Sequence, residues 1–213
     1  MSLLVGAASN AGTGGYNLEN SLRFRASAGA YLNRTPATAG NRKTWTWSCW
    51  FKRGSSGTYQ IVTKGFADAS NYDRIIFFTD NTLRVNSYIA GATSINLTTN
   101  ALFRDPSSWY HIIVVIDTTQ ATASNRAKLF VNGEQASLSA ATYPALNADT
   151  NYNNTILHSI GAEAEYSGTQ PFDGYQTEIN FVDGQALTPS DFGETNATTG
   201  VWQPAEYTGT YGT

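Results

Sequence analysis

The chain has 213 residues with 13 basic and 16 acidic side chains. No block of like charge is present that could neutralise a run of phosphates, which argues against a nucleic-acid partner. Charged residues make up only 14% against 41% hydrophobic, and Gly, Thr, Ser and Asn are abundant, so short strands joined by turns fit better than charged amphipathic helices. The expectation is one all-β domain, held together without a disulfide because Cys49 is the only cysteine. Met1–Ala8 has neither the basic start of a signal peptide nor the length of a membrane span, so neither export nor membrane insertion is expected.

Residues 1–20 are read as an N-terminal arm. It is small, Gly-rich and patternless apart from Leu3, Leu4 and Val5. Two readings of these three residues stay open: a frayed terminus, or an arm that docks onto another protein. Leu22 and Phe24 alternate with Arg23 and Arg25, and Tyr31-Leu32 follows a turn, giving two short outer strands. In Trp45–Arg53, Trp45, Trp47, Cys49 and Phe51 share one face while Thr46, Ser48 and Lys52 share the other, which is the pattern of a half-buried strand. Trp50 interrupts the polar face. Core packing, rather than a sugar platform, is the reading of these tryptophans.

Tyr59–Lys64, Arg74–Phe78, Leu83–Tyr88 and Thr93–Thr98 read as further strands, the second and third forming a hairpin across Thr79–Thr82. Trp109–Asp117 is apolar on both faces, so it belongs inside a sheet covered on both sides. Leu129–Val131 returns as its partner and ends at Asn132-Gly133, a dipeptide suited to the positive φ angles of a tight hairpin. Ala136–Asn154 is mostly loop with one weak strand, and Ile156–Ala162 and Tyr175–Val182 are the last strands. Along the latter, Tyr175, Thr177, Ile179 and Phe181 are expected inward, and Gln176, Glu178 and Asn180 outward. Thr188-Pro189-Ser190-Asp191-Phe192 carries a capping signal for one short helical turn at residues 188–192, and residues 195–213 form a C-terminal tail.

The succession WTWSCWFKR, WYHIIVVID, KLFVNGE and FDGYQTEINFVDGQALTPSDFGE resembles a laminin-G-like, concanavalin A-type jelly roll. The resemblance runs from about Ser21 to Glu194 and implies a domain at 21–194 built as a two-sheet antiparallel jelly-roll sandwich. More narrowly, AYLNRTPATAGNRKTWTWS and the FDGYQ segment resemble virion structural proteins of tailed bacteriophages. That second resemblance implies a non-enzymatic capsid decoration or fibre-type appendage, a homo-oligomer assembled in the host cytoplasm and located on the virion. It would be anchored to other virion structural proteins through Leu3, Leu4 and Val5. A carbohydrate-binding module for host-surface polysaccharide is the alternative, and a glycoside hydrolase a weaker one.

Catalytic residues are not expected. Retaining glycosidases of this architecture carry Glu-x-Asp-x-x-Glu along one strand; here Glu178 is followed by Asn180 in place of the middle acid and by the shorter Asp183 in place of the terminal glutamate, so the carboxylate pair is incomplete. His111 and His158 lie in apolar strand patterns and read as structural. No metal-ligand spacing appears and no cofactor is expected. Calcium stays open only because related lectin-like folds bind it; Asp68, Asp73 and Asp80 qualify merely as loop acids. For a glycan, an exposed aromatic beside amide groups is needed, and Tyr72 and Tyr152 are the candidates.

Overall fold

The structure, a computed structural model, describes residues 16–212; Leu3, Leu4 and Val5 lie outside the described residues. In chain order the strands are β1 Leu22–Phe24, β2 Leu32–Arg34, β3 Thr44–Arg53, β4 Gln60–Asp68 and β5 Asn71–Phe77. Then come β6 Thr82–Ile89, β7 Ala92–Leu102, β8 Tyr110–Asp117, β9 Ala127–Val131 and β10 Glu134–Gln135. The last are β11 Leu138–Thr142, β12 Leu157–Ile160, β13 Gly174–Asp183, β14 Gly193–Thr195 and β15 Trp202–Pro204. Helical structure among the described residues is limited to three-residue 3₁₀ turns.

Two antiparallel sheets make the sandwich. One has the order β1-β13-β3-β8-β9-β10, the other β11-β7-β6-β5-β4-β12-β2. Strand alternation puts Trp45, Trp47, Cys49 and Phe51 of β3 and Ile112, Val114 and Ile116 of β8 into one core with Ile75, Phe77, Val85 and Leu97 of the facing sheet. Phe51 and Phe77 meet across it with ring centroids 5.0 Å apart. At the end of β9, Asn132 (φ 49°) and Gly133 (φ 84°) make the tight turn into β10 that the dipeptide demands. Gly133 has a second reason to be glycine, since a Cβ there would lie 2.6 Å from the Trp202 ring.

Both faces of β8 are covered, as its sequence requires. On the outer side Ile113, Val115 and Val182 form a second apolar cluster with Phe192, closed by Leu187 and Tyr207. The chain after β13 is laid over this face, stitched down where Thr46 Oγ1 donates to the Gln185 carbonyl (2.8 Å) and accepts from Leu187 N (2.9 Å). The expected turn is present as a 3₁₀ segment, Pro189–Asp191, with Asp191 accepting from the Thr188 amide at 2.7 Å. This overlay explains Trp50: its ring stacks on His111 (4.7 Å), and His111 in turn lies under Trp202 (6.1 Å).

One inward–outward assignment is corrected. Thr177 pairs with Trp50 but Asn180 pairs with Ser48, so β13 carries one extra residue, with Glu178 in the left-handed region (φ 49°). Such a bulge reverses the alternation on its two sides. Ile179 and Phe181 do pack on the core, whereas Gln176 is fully buried and Tyr175 is exposed.

Candidate functional site

The outer face of the seven-stranded sheet is closed over β4, where Glu163 and Glu165 meet the buried Lys64, and lies half-open along β5, β6 and β7. In the registers Tyr72↔Tyr88 and Arg74↔Asn86↔Asn96, strands β5, β6 and β7 place polar and aromatic side chains side by side, while Ile75, Val85 and Leu97 between them point into the core. On this face Tyr72, Arg74, Arg84, Tyr88 and Asn96 are half-buried, and Ile76, Asn86 and Thr98 are buried among them.

Two layers of this face are pre-organised. The Tyr72 and Tyr88 rings stack at 4.8 Å. Beside them Arg74 Nε donates to Asn86 Oδ1 (3.4 Å), Asn86 Nδ2 to Asn96 Oδ1 (2.9 Å), and Thr98 Oγ1 to the same Asn96 oxygen (3.2 Å). Further along, the Arg84 guanidinium lies 3.6 Å from the Phe78 ring centroid and pairs with Asp80 at 2.8 Å. Burial pushes the Tyr72 hydroxyl pKa up, so it stays a neutral donor. On the neighbouring strand β4 and the same face, Lys64 flanks Tyr72, its Nζ 5.1 Å from the ring and clamped by Glu163 (2.7 Å) and Glu165. Aromatic rings next to a row of amide and guanidinium groups offer a surface for the apolar faces of sugars and partners for their hydroxyl pairs.

Tyr152 is placed differently from its sequence reading. It is not an exposed loop ring but 3% exposed, packed on Trp45 (5.2 Å) between the sheets. Residues 151–152 are drawn inward because Asp73 accepts from Asn151 N (2.6 Å), Asn151 Nδ2 (2.9 Å) and Tyr152 N (2.7 Å). Tyr152 also lines a cleft of about 610 Å³ that opens between β2 and β12 on one side and β3 and β13 on the other. Trp47, Ile179 and Phe181 form its apolar wall; Asn33, Arg34, Asn153 and Asp183 are among its polar groups. The two aromatic residues singled out in the sequence thus mark two separate places.

The histidines are structural. His111 accepts from Trp202 Nε1 at Nδ1 (3.0 Å) and lies 2.8 Å from Ser48 Oγ at Nε2, and burial lowers its pKa to about 3. His158 donates from Nδ1 to the Ile156 carbonyl (2.9 Å) and accepts from Asn153 N (3.2 Å); burial lowers its pKa as well. Glu178 accepts from Tyr16 (2.9 Å), Asn180 from Tyr211 (2.7 Å), and Asp183 from Asn41 N (2.7 Å) and Asn153 Nδ2 (2.6 Å). Asp73 is a buried strand residue rather than a loop acid, and Asp68 and Asp80 are bound within their own turns. No group of three His, Cys, Asp or Glu side chains suited to a metal converges among the described residues. No helix among them is long and apolar enough to cross a membrane.

Residues 25–191 match the family model described as the concanavalin A-like lectin/glucanases superfamily. The chain belongs to this superfamily. Its fold is similar to mouse laminin α1 domains LG4-5 (TM-score 0.57, 14% identity), covering 88% of this chain and 48% of that one. It is also similar to a heptameric SAP-like pentraxin from Limulus polyphemus (TM-score 0.51, 14% identity, 74% and 71% covered). A third similar structure is domain 4 of a GH43 extracellular arabinanase from Geobacillus stearothermophilus in complex with arabinotriose (TM-score 0.51, 16% identity, 80% and 84% covered). No curated protein matches the sequence. At these identities the likeness is one of fold.

Proposed function

We propose that this lectin-like domain is a carbohydrate-binding module that acts by recognition and not by catalysis, with the outer face of β5, β6 and β7 as its binding surface. The observation that carries the reading is the half-exposed pair of layers Tyr72–Tyr88 and Arg74–Asn86–Asn96, in register across three strands. The arabinotriose complex of the arabinanase domain supports it at the level of fold. A non-catalytic role is supported by the protein donors that already hold Glu178 and Asp183. A glycan array on the purified chain, followed by titration of the strongest hit, tests the reading. Tyr88→Ala is expected to weaken that hit by about tenfold, in line with the loss of an aromatic contact and its neighbours. An unchanged affinity would move the site off this face, and release of reducing ends from the bound polysaccharide would overturn the non-enzymatic part.

Display of the module on a bacteriophage particle, anchored by Leu3, Leu4 and Val5, is the finer reading and rests on the segment resemblance alone; none of the similar structures named above is a virion protein. In that setting the bound polysaccharide would lie on the host surface. Labelling intact particles with an antibody to this chain tests it, and unlabelled particles would dismiss it.

A further inference from the structure

The cleft between the sheets is a second concavity, built from residues that the open face does not use. Its volume, about 610 Å³, is in the range of small-molecule pockets, roughly 300–1,000 Å³. Two observations restrict what fits. The wall formed by Trp47, Ile179 and Phe181 is apolar. Arg34, at the rim on the edge strand β2, takes part in no ion pair among the described residues, although its charge reaches His158.

The remaining charge is Asp183. One of its carboxylate oxygens is committed to Asn41 N and Asn153 Nδ2, and it remains an acceptor only. A ligand that satisfies this lining must bring an anionic group for Arg34, hydroxyl donors for acceptors such as Asp183, and an apolar face for the wall. An inorganic anion lacks the second and third. A neutral sugar lacks the first. An aliphatic carboxylate lacks the second.

The geometry points to a sugar acid: the cleft is a binding site for a hexuronate-type residue, its carboxylate paired with the Arg34 guanidinium and its ring against Ile179 and Phe181. Bidentate pairing of a planar carboxylate is the task to which arginine is better suited than lysine. His158 does not compete for the anion, because both its ring nitrogens are engaged and it stays neutral at pH 7.

The site stands apart from the open face, so the two are separable in one experiment. Digalacturonate and its methyl ester are titrated calorimetrically into the full chain, into Arg34→Gln, into Arg34→Lys and into Tyr88→Ala. Arg34 is exposed on an edge strand, so its replacement is expected to leave the melting temperature unchanged. The expected result is saturable binding of the acid, at least tenfold weaker for the ester and for Arg34→Gln. Arg34→Lys should be intermediate, and Tyr88→Ala unaffected. The ester should bind Arg34→Gln and the unaltered chain equally. Absence of binding, equal affinity for acid and ester, or loss in Tyr88→Ala but not in Arg34→Gln would each overturn the assignment. Only the last of these would speak for the open face.

Discussion

The two sheets turn their outer faces to opposite fates. On the six-stranded sheet, Ile113, Val115 and Val182 are sealed under Phe192 and Tyr207, and Trp50, His111 and Trp202 form a stack beside them. On the seven-stranded sheet the outward positions Tyr72, Arg74, Arg84, Tyr88 and Asn96 of β5 to β7 stay half-exposed around the buried Ile76, Asn86 and Thr98. A strand that is apolar at every position obliges some later segment to close over it, here residues about 70 to 95 further along the chain. A strand that alternates carries no such obligation, and its polar side is free to meet a ligand.

The largest expected effect sits on the closed face. Ile113 is 1% exposed, and Ile113→Ala should lower stability by about 2–5 kcal/mol, the range for a truncated core side chain. Urea unfolding monitored by tryptophan fluorescence measures it. A loss under about 0.5 kcal/mol would mean that the overlay contributes nothing and that the two faces are alike.

Next comes acid. The folded His111 has its pKa lowered to about 3 by burial, while in the unfolded chain it titrates near 6.5. Between those values the unfolded state binds the proton and the folded state does not, so stability is intact above pH 6.5 and falls as the pH drops towards 3. The loss at pH 4 should be about 3 kcal/mol. His158, lowered in the same direction, adds to it; Asp73, whose carboxyl is raised by burial, works against it. Melting curves of the unaltered chain and of His111→Gln between pH 7 and 4 isolate the His111 share. If the two fall in parallel, the stack is not proton-sensitive.

Much of this contrast is legible in the residues. Trp109–Asp117 announces its own burial on both sides, and Asn132-Gly133 fixes the hairpin beside it. The misreading of β13 has a physical source: Glu178 adopts a left-handed conformation that its side chain does not advertise, so every neighbour before it points the other way. Tyr152 was hidden for a different reason. Its loop is polar, yet Asp73 pulls two of its backbone amides into the sandwich, a contact across 79 positions of chain that local composition does not encode. Tyr72 was recognisable as an aromatic residue near polar groups. Its partners Tyr88, Asn86 and Asn96 were not, because strand register and not proximity in sequence brings them alongside.

The smallest expected effect belongs to the open face and concerns Arg84. Its ion pair with Asp80 joins two side chains that are 27% and 50% exposed, so the pair itself should contribute no more than about 0.2–1 kcal/mol. The guanidinium also lies flat enough on Phe78 to approach its centroid at 3.6 Å, and at a half-exposed site such a contact is worth about 0.5–1 kcal/mol. Two properties separate these contributions. Salt screens the exposed pair but hardly affects a cation resting on a ring, and lysine keeps the charge while losing the planar surface. Arg84→Lys should therefore destabilise by a few tenths of a kcal/mol at both low and high salt, with 1 M NaCl changing the unaltered chain by less. Were the loss in Arg84→Ala to vanish at high salt, the ion pair would be the dominant contact. A loss above about 2 kcal/mol would instead place Arg84 in a packed interface, and the open face would have to be redrawn as a covered one.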